Sequence, residues 1–113
     1  MSAIGAIAIA ALLAAGGPDR EVRLAQGLEQ KLALELQRRD AAAAARSSRQ
    51  CTAALRQLTR ALRSRGAAAE ALGDGLRRED GLARSALAER RWTDALAATR
   101  ATQAVLDEAG RLR

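Results

Sequence analysis

Ser2 to Gly17 reads SAIGAIAIAALLAAGG, a stretch without a charge or an aromatic ring, closed by Gly16-Gly17-Pro18. After Pro18 the chain is charged, alanine-rich and helix-favouring. It therefore divides into an apolar head, residues 1–17, and a long helical body. The run Ala3–Ala15 is 13 residues long. As a helix it would extend about 20 Å at about 1.5 Å per residue. A bilayer core is about 30 Å thick and takes about 20 apolar residues. That length suits a partly inserted anchor, a signal-peptide core, or a helix buried among neighbouring subunits. Ile4, Ile7, Ile9, Leu12 and Leu13 would make the lipid or subunit contacts. Ala14, Ala15 and Gly16 offer a cleavage site, although only Met1-Ser2 stands where a signal peptide carries basic residues. Arg20 and Arg23 follow the head, so the positive-inside tendency would put the body in the cytoplasm, a rule that a protein delivered from a virion need not obey, and both orientations stay open.

The body has few β-branched residues, so sheet is disfavoured and the fold class is all-α. Alanine supplies 30 residues and leucine 17, with no Phe, Tyr or His and a single Trp92. Small side chains bury little area at about 25 cal/mol per Å², so a large independent core is not expected. Long amphipathic helices paired along narrow seams, as a helical hairpin or a coiled coil, fit better. Trp92 reads as a packing anchor. Cys51 has no intrachain partner for a disulfide and reads as a buried thiol.

Pro18 with Asp19 and Glu21 suits a helix start. One long amphipathic helix is expected over residues 18–72, a turn over residues 73–75 at Gly73-Asp74-Gly75, and a C-terminal helical segment over residues 76–113. Leu24, Leu28, Leu32 and Leu36 recur every four residues. Cys51, Leu55, Leu58 and Leu62 then step in heptad spacing, which continues through Arg65, Ala69, Leu72 and Leu76. Ala95, Ala98, Thr102, Val105, Ala109 and Leu112 repeat the three-four pattern. Leu82-Ala83, Ala86 and Ala95-Leu96 faintly resemble one tetratricopeptide unit, which implies a helix break near Glu89–Arg91; no second copy follows.

Net charge is +6, from 18 Arg, one Lys and 13 acids. Residues 38–65 hold eight of the arginines and one acid, Asp40. Arg46, Arg49, Arg56, Arg60 and Arg63 lie opposite the Cys51–Leu62 seam, so one face packs while the other presents guanidinium groups. Such a face suits phosphates of nucleic acid, anionic lipid, an acidic protein, or simple solvation. Sequence-specific DNA reading has no support: there is no helix-turn-helix signature, zinc-ligand set or aromatic platform.

Catalysis is not expected. Without His, neither a Ser-His-Asp nor a Cys-His arrangement exists. No Cys/His metal set or phosphate-loop motif occurs, and no cofactor is expected. The neighbouring carboxylates Glu79-Asp80 and Asp107-Glu108 point about 100° apart on a helix and read as solvated charge.

AIGAIAIAALLAAGG followed by REVRLAQGLEQKLALELQRRDAAAAA is similar in style to small internal-virion, or ejection, proteins of bacteriophages. LELQRRDAAAAA and the heptads after Cys51 resemble the inner-membrane spanins of lysis cassettes, although a spanin anchor is longer and flanked by basic or aromatic residues. Both resemblances are architectural. They imply a non-catalytic helical structural protein of a virion or membrane-bound assembly, homo-oligomeric and membrane-associated. A spanin-like lysis protein is the alternative. An exported periplasmic or secreted helical protein with a cleaved head, or a basic nucleic-acid-associated protein, also fits.

Overall fold

The computed structural model describes residues 18–112, and the expected head contacts from Ile4 to Leu13 lie outside the described residues. Four helices follow one another: α1 (Asp19–Gln37), α2 (Ala41–Arg63), α3 (Ala67–Ala88) and α4 (Trp92–Gly110). The connections are so short that successive helices run antiparallel. Cross-helix pairs agree: Gln103 donates to Gln30 (3.0 Å) while Gln26 donates to Asp107 (3.0 Å), and Thr52 donates to Asp80 (2.9 Å). Each helix packs on two others, and α4 returns against α1, closing a four-helix bundle.

The single long helix expected over residues 18–72 is broken twice. At the first break Arg39 takes φ 54°, a left-handed conformation, after α1. Asp40 N–H reaches back to the Glu35 carbonyl (3.1 Å) and Arg39 N–H to that of Leu36 (3.1 Å), a Schellman ending. Asp40 then caps α2 by accepting from Ala43 N–H (3.1 Å). The break after α3 repeats this design. Arg90 has φ 59°, Arg91 N–H reaches the Ala86 carbonyl (2.8 Å), and Arg90 N–H that of Leu87 (3.0 Å). This is the break anticipated near Glu89–Arg91. The second interruption of residues 18–72 falls at Gly66, whose φ of 106° and ψ of 173° are open to glycine alone.

The turn expected at residues 73–75 does not exist; those residues lie inside α3. Gly73 serves close packing instead, since a Cβ there would come within 3.2 Å of the Thr59 methyl on α2. Asp74 is held in helical geometry beside Arg77, three residues on (2.8 Å).

Every helix keeps an unbroken three-four seam turned inward. The seams are Val22, Ala25, Glu29, Leu32, Leu36 on α1 and Ala44, Ser48, Cys51, Leu55, Leu58, Leu62 on α2. On α3 they are Ala69, Gly73, Leu76, Asp80, Ala83, Leu87, and on α4 Ala95, Thr99, Thr102, Leu106, Ala109. This is the core geometry of an antiparallel bundle. It corrects the expectation that so alanine-rich a body lacks an independent core: small residues let the helices approach, and leucines fill the space between. Two apolar clusters result. One gathers Leu55, Leu58, Leu62, Leu76 and Leu106; the other gathers Leu32, Leu36, Cys51 and Leu87. Trp92 packs, half-buried, against the second. No helix among the described residues is long and apolar enough to cross a membrane.

Candidate anionic-surface interface

The Asp40 cap starts α2, and Arg63 ends it without a single acidic residue between. At about 100° per residue, Arg46, Arg49, Arg56, Arg60 and Arg63 fall within an arc of about 100° and extend about 25 Å along the helix. All five are exposed. The opposite face holds the seam: Cys51, Leu55, Leu58 and Leu62 are buried. Inward burial of one face therefore fixes the outward direction of the other. The seam continues into α3 with Leu76 buried and Leu72 half-buried, but across a chain reversal. These leucines meet one another inside the chain's own core, not along a rod.

Among the described residues four arginines form ion pairs, all of them outside α2. Arg77 pairs with Asp74 (2.8 Å) and Arg84 with Asp80 (3.2 Å). Arg91 pairs with Glu89 (3.0 Å) and Asp94 (2.8 Å), and Arg111 with Glu108 (3.1 Å). None of the five on α2 forms an ion pair with a described residue. Their guanidinium donors are free for an external anion.

Where α2 meets α3, a recess of about 180 Å³ opens beside this face, lined by Thr52, Leu55, Arg56, Arg77, Asp80 and Arg84. Arg56 belongs to both the face and the recess. A larger groove of about 510 Å³ separates the start of α1 from the end of α4; it is lined by Asp19, Val22, Arg23, Gln26, Asp107, Gly110 and Arg111. Its charges are mixed, and its Gln26–Asp107 bond ties the two helices together.

The reading of Asp80 as a solvated carboxylate is corrected: its side chain is only 8 % exposed and accepts from Thr52 Oγ1 and Arg84 Nε. Asp80 stands on the α3 seam, so helical position overrides its charge. The other missed group is Glu29, 2 % exposed on the α1 seam, with Oε2 lacking a hydrogen-bond partner among the described residues. Burial pushes its carboxyl up to about 7; the Asp80 charge adds to this, while the neighbouring Cys51 thiol works the other way. Burial and the nearby Glu29 carboxyl push the Cys51 thiol well above its ordinary range. Thr99 Oγ1 is likewise buried without a partner among the described residues. Thr102, beside it, donates back to the Ala98 carbonyl (3.0 Å). Together these side chains form a polar layer at mid-length of the bundle. The signal for them was a polar residue at a three-four seam position. Among the described residues, no group of three or more His, Cys, Asp or Glu is placed to hold a metal ion.

Asp107 and Glu108 are exposed, as read from the sequence. Neither a protein-family model, nor a curated protein, nor a solved structure matches the chain.

Proposed function

We propose that this protein is a non-catalytic structural component of a membrane-bound or phage-like assembly. Its apolar head, residues 1–17, inserts in lipid or packs among neighbouring subunits, and its four-helix body rests against an anionic membrane surface through α2. The observation that carries this reading is the row of five exposed arginines, without an ion-pair partner among the described residues, on a helix with no acid. A short apolar insert alone binds a membrane weakly and reversibly, and stable attachment takes a second signal such as a polybasic patch. Each basic residue near an anionic leaflet contributes about 1 kcal/mol, so the row supplies up to about 5 kcal/mol at physiological salt. The folded-back bundle favours this over the spanin-like alternative, which needs an extended rod to bridge two membranes. The leucine seams are occupied within one chain, so association with further copies would use the head or the outer faces of the bundle.

Vesicle flotation of the full chain tests the proposal. Binding is expected to vesicles containing phosphatidylglycerol, to weaken with salt, and to fall steeply when residues 46, 49, 56, 60 and 63 are changed from Arg to Gln. Removal of residues 2–17 should weaken binding further. Flotation that ignores both headgroup charge and these arginines would defeat the role given to α2. Tight, salt-sensitive binding to duplex DNA with no vesicle binding would move the same face to a nucleic-acid role.

A further inference from the structure

We propose that the recess between α2 and α3 is a docking site for the phosphomonoester headgroup of a lipid. This deepens the membrane reading of the α2 face and rests on it. The recess gathers three guanidinium groups from two helices: Arg56 from α2, and Arg77 with Arg84, two turns apart, from α3. Thr52 and Leu55 complete the lining.

The two α3 arginines are held in place by neighbours without being consumed by them. Arg77 uses one terminal nitrogen, Nη2, on Asp74 Oδ1 (2.8 Å). Arg84 uses Nε on Asp80 Oδ2 (3.2 Å), which leaves both terminal nitrogens free. Thr52 donates to the same Asp80 oxygen (2.9 Å). The one carboxylate lining the recess is thus engaged from both sides and nearly buried, and it acts as a bracket for Arg84. Arg56 has no partner among the described side chains. Asp74 and Asp80 offset Arg77 and Arg84, and Arg56 leaves the recess with an excess of positive charge.

That excess suits a phosphomonoester. It carries between one and two negative charges near neutral pH and offers three terminal oxygens. A phosphodiester carries one charge and offers two. Guanidinium groups bind such oxygens through paired, charge-assisted hydrogen bonds. A volume of about 180 Å³ accommodates a small headgroup and lies below the about 300 Å³ at which drug-sized pockets begin. Continuity with the exposed arginine row through Arg56 places the recess where a lipid headgroup would arrive once the bundle lies on the membrane.

The experiment compares full-length protein on phosphatidylcholine vesicles doped with phosphatidic acid or with phosphatidylglycerol, matched for surface charge. Phosphatidic acid should bind about tenfold more tightly, as expected for one additional charge-assisted contact. The double variant Arg77→Gln, Arg84→Gln should lose that preference and keep its affinity for phosphatidylglycerol. Arg77→Gln alone, which spares the Asp80 pair, should lose part of it, so a folding defect from the double change does not decide the outcome. Equal binding of the two lipids by the unaltered protein, or an undiminished preference in both variants, overturns the site. Inorganic phosphate at millimolar concentration should leave the preference largely intact. If it abolishes the preference, the recess takes free phosphate and the lipid assignment fails. Loss of binding to every vesicle would instead overturn the membrane reading beneath it.

Discussion

Replacing Glu29 by Gln should stabilise this protein, and only above the pH at which an ordinary glutamate ionises. Glu29 stands in the α1 seam, 2 % exposed, facing the Cys51 thiol of α2 and the Asp80 carboxylate of α3. The buried polar groups that α4 brings to this layer are the hydroxyls of Thr99 and Thr102, which do not titrate in this range. Burial raises the Glu29 carboxyl from 4.5 to about 7. Below pH 4.5 both folded and unfolded chains hold the proton, and ionisation of the group costs nothing. Between 4.5 and 7 the unfolded chain releases its proton and the folded chain does not, so stability falls as pH rises. Above 7 the penalty is complete. At about 1.4 kcal/mol per pH unit it amounts to about 3 kcal/mol. Gln has nearly the same shape and no charge, so the variant should escape this loss. Urea denaturation of both proteins, followed by circular dichroism, gives the stability difference at each pH. The variant's advantage should grow by about 3 kcal/mol between pH 4.5 and about pH 8. A buried amide with missing partners would shift the whole difference curve but not its slope. A flat difference curve would therefore refute the placement of an ionisable Glu29 in the core.

Three further outcomes follow from the backbone and the helix contacts. Gly66→Ala should cost about 1–3 kcal/mol in thermal or urea denaturation: φ 106° excludes a Cβ although nothing stands within 4 Å of it. Arg39→Gly and Arg90→Gly should each stabilise the bundle by up to about 1 kcal/mol in the same assays, because glycine takes the left-handed helix ending without the side-chain penalty. Gly73→Ala should not gain the about 1 kcal/mol that helix propensity alone would give. Thr59 Oγ1 is bonded to the Leu55 carbonyl (2.7 Å), which fixes its methyl 3.2 Å from the new Cβ. Adding Thr59→Ser, which keeps the hydroxyl and removes the methyl, should restore the gain, and a double-mutant cycle reads the coupling.

The helical class, the inward face of α2 and its outward arginines were legible because a period near 3.5 is written there by large and charged residues. Chain reversals were harder to read, and the reason lies in single residues. Two of the three reversals use arginine, Arg39 and Arg90, where glycine is the usual marker, while Gly73 and Gly75 mark no turn at all. The heptad count from Cys51 to Leu76 ran straight through the reversal at residues 64–66 because both antiparallel helices present the same spacing to one core. Leucine also misled on α1. A step of four residues rotates about 40° per repeat, so Leu24 lies about 120° from Leu36 and is 55 % exposed. Glu29 holds the inward place instead. Counting leucines therefore hides the polar layer, whereas counting seam positions reveals it. On each helix the three-four spacing admits at least one residue that no hydrophobic pattern selects: Glu29, Ser48, Asp80, and Thr99 with Thr102. Such a layer weakens the bundle at mid-length and penalises a slip of α1, α2 or α3 by one heptad, because sliding one of them would set the Glu29 or Asp80 carboxylate against neighbouring leucines of the seams. The register fixed in this way keeps Arg56 on α2 beside Arg77 and Arg84 on α3, and so ties the interior of the bundle to the surface proposed to meet the membrane.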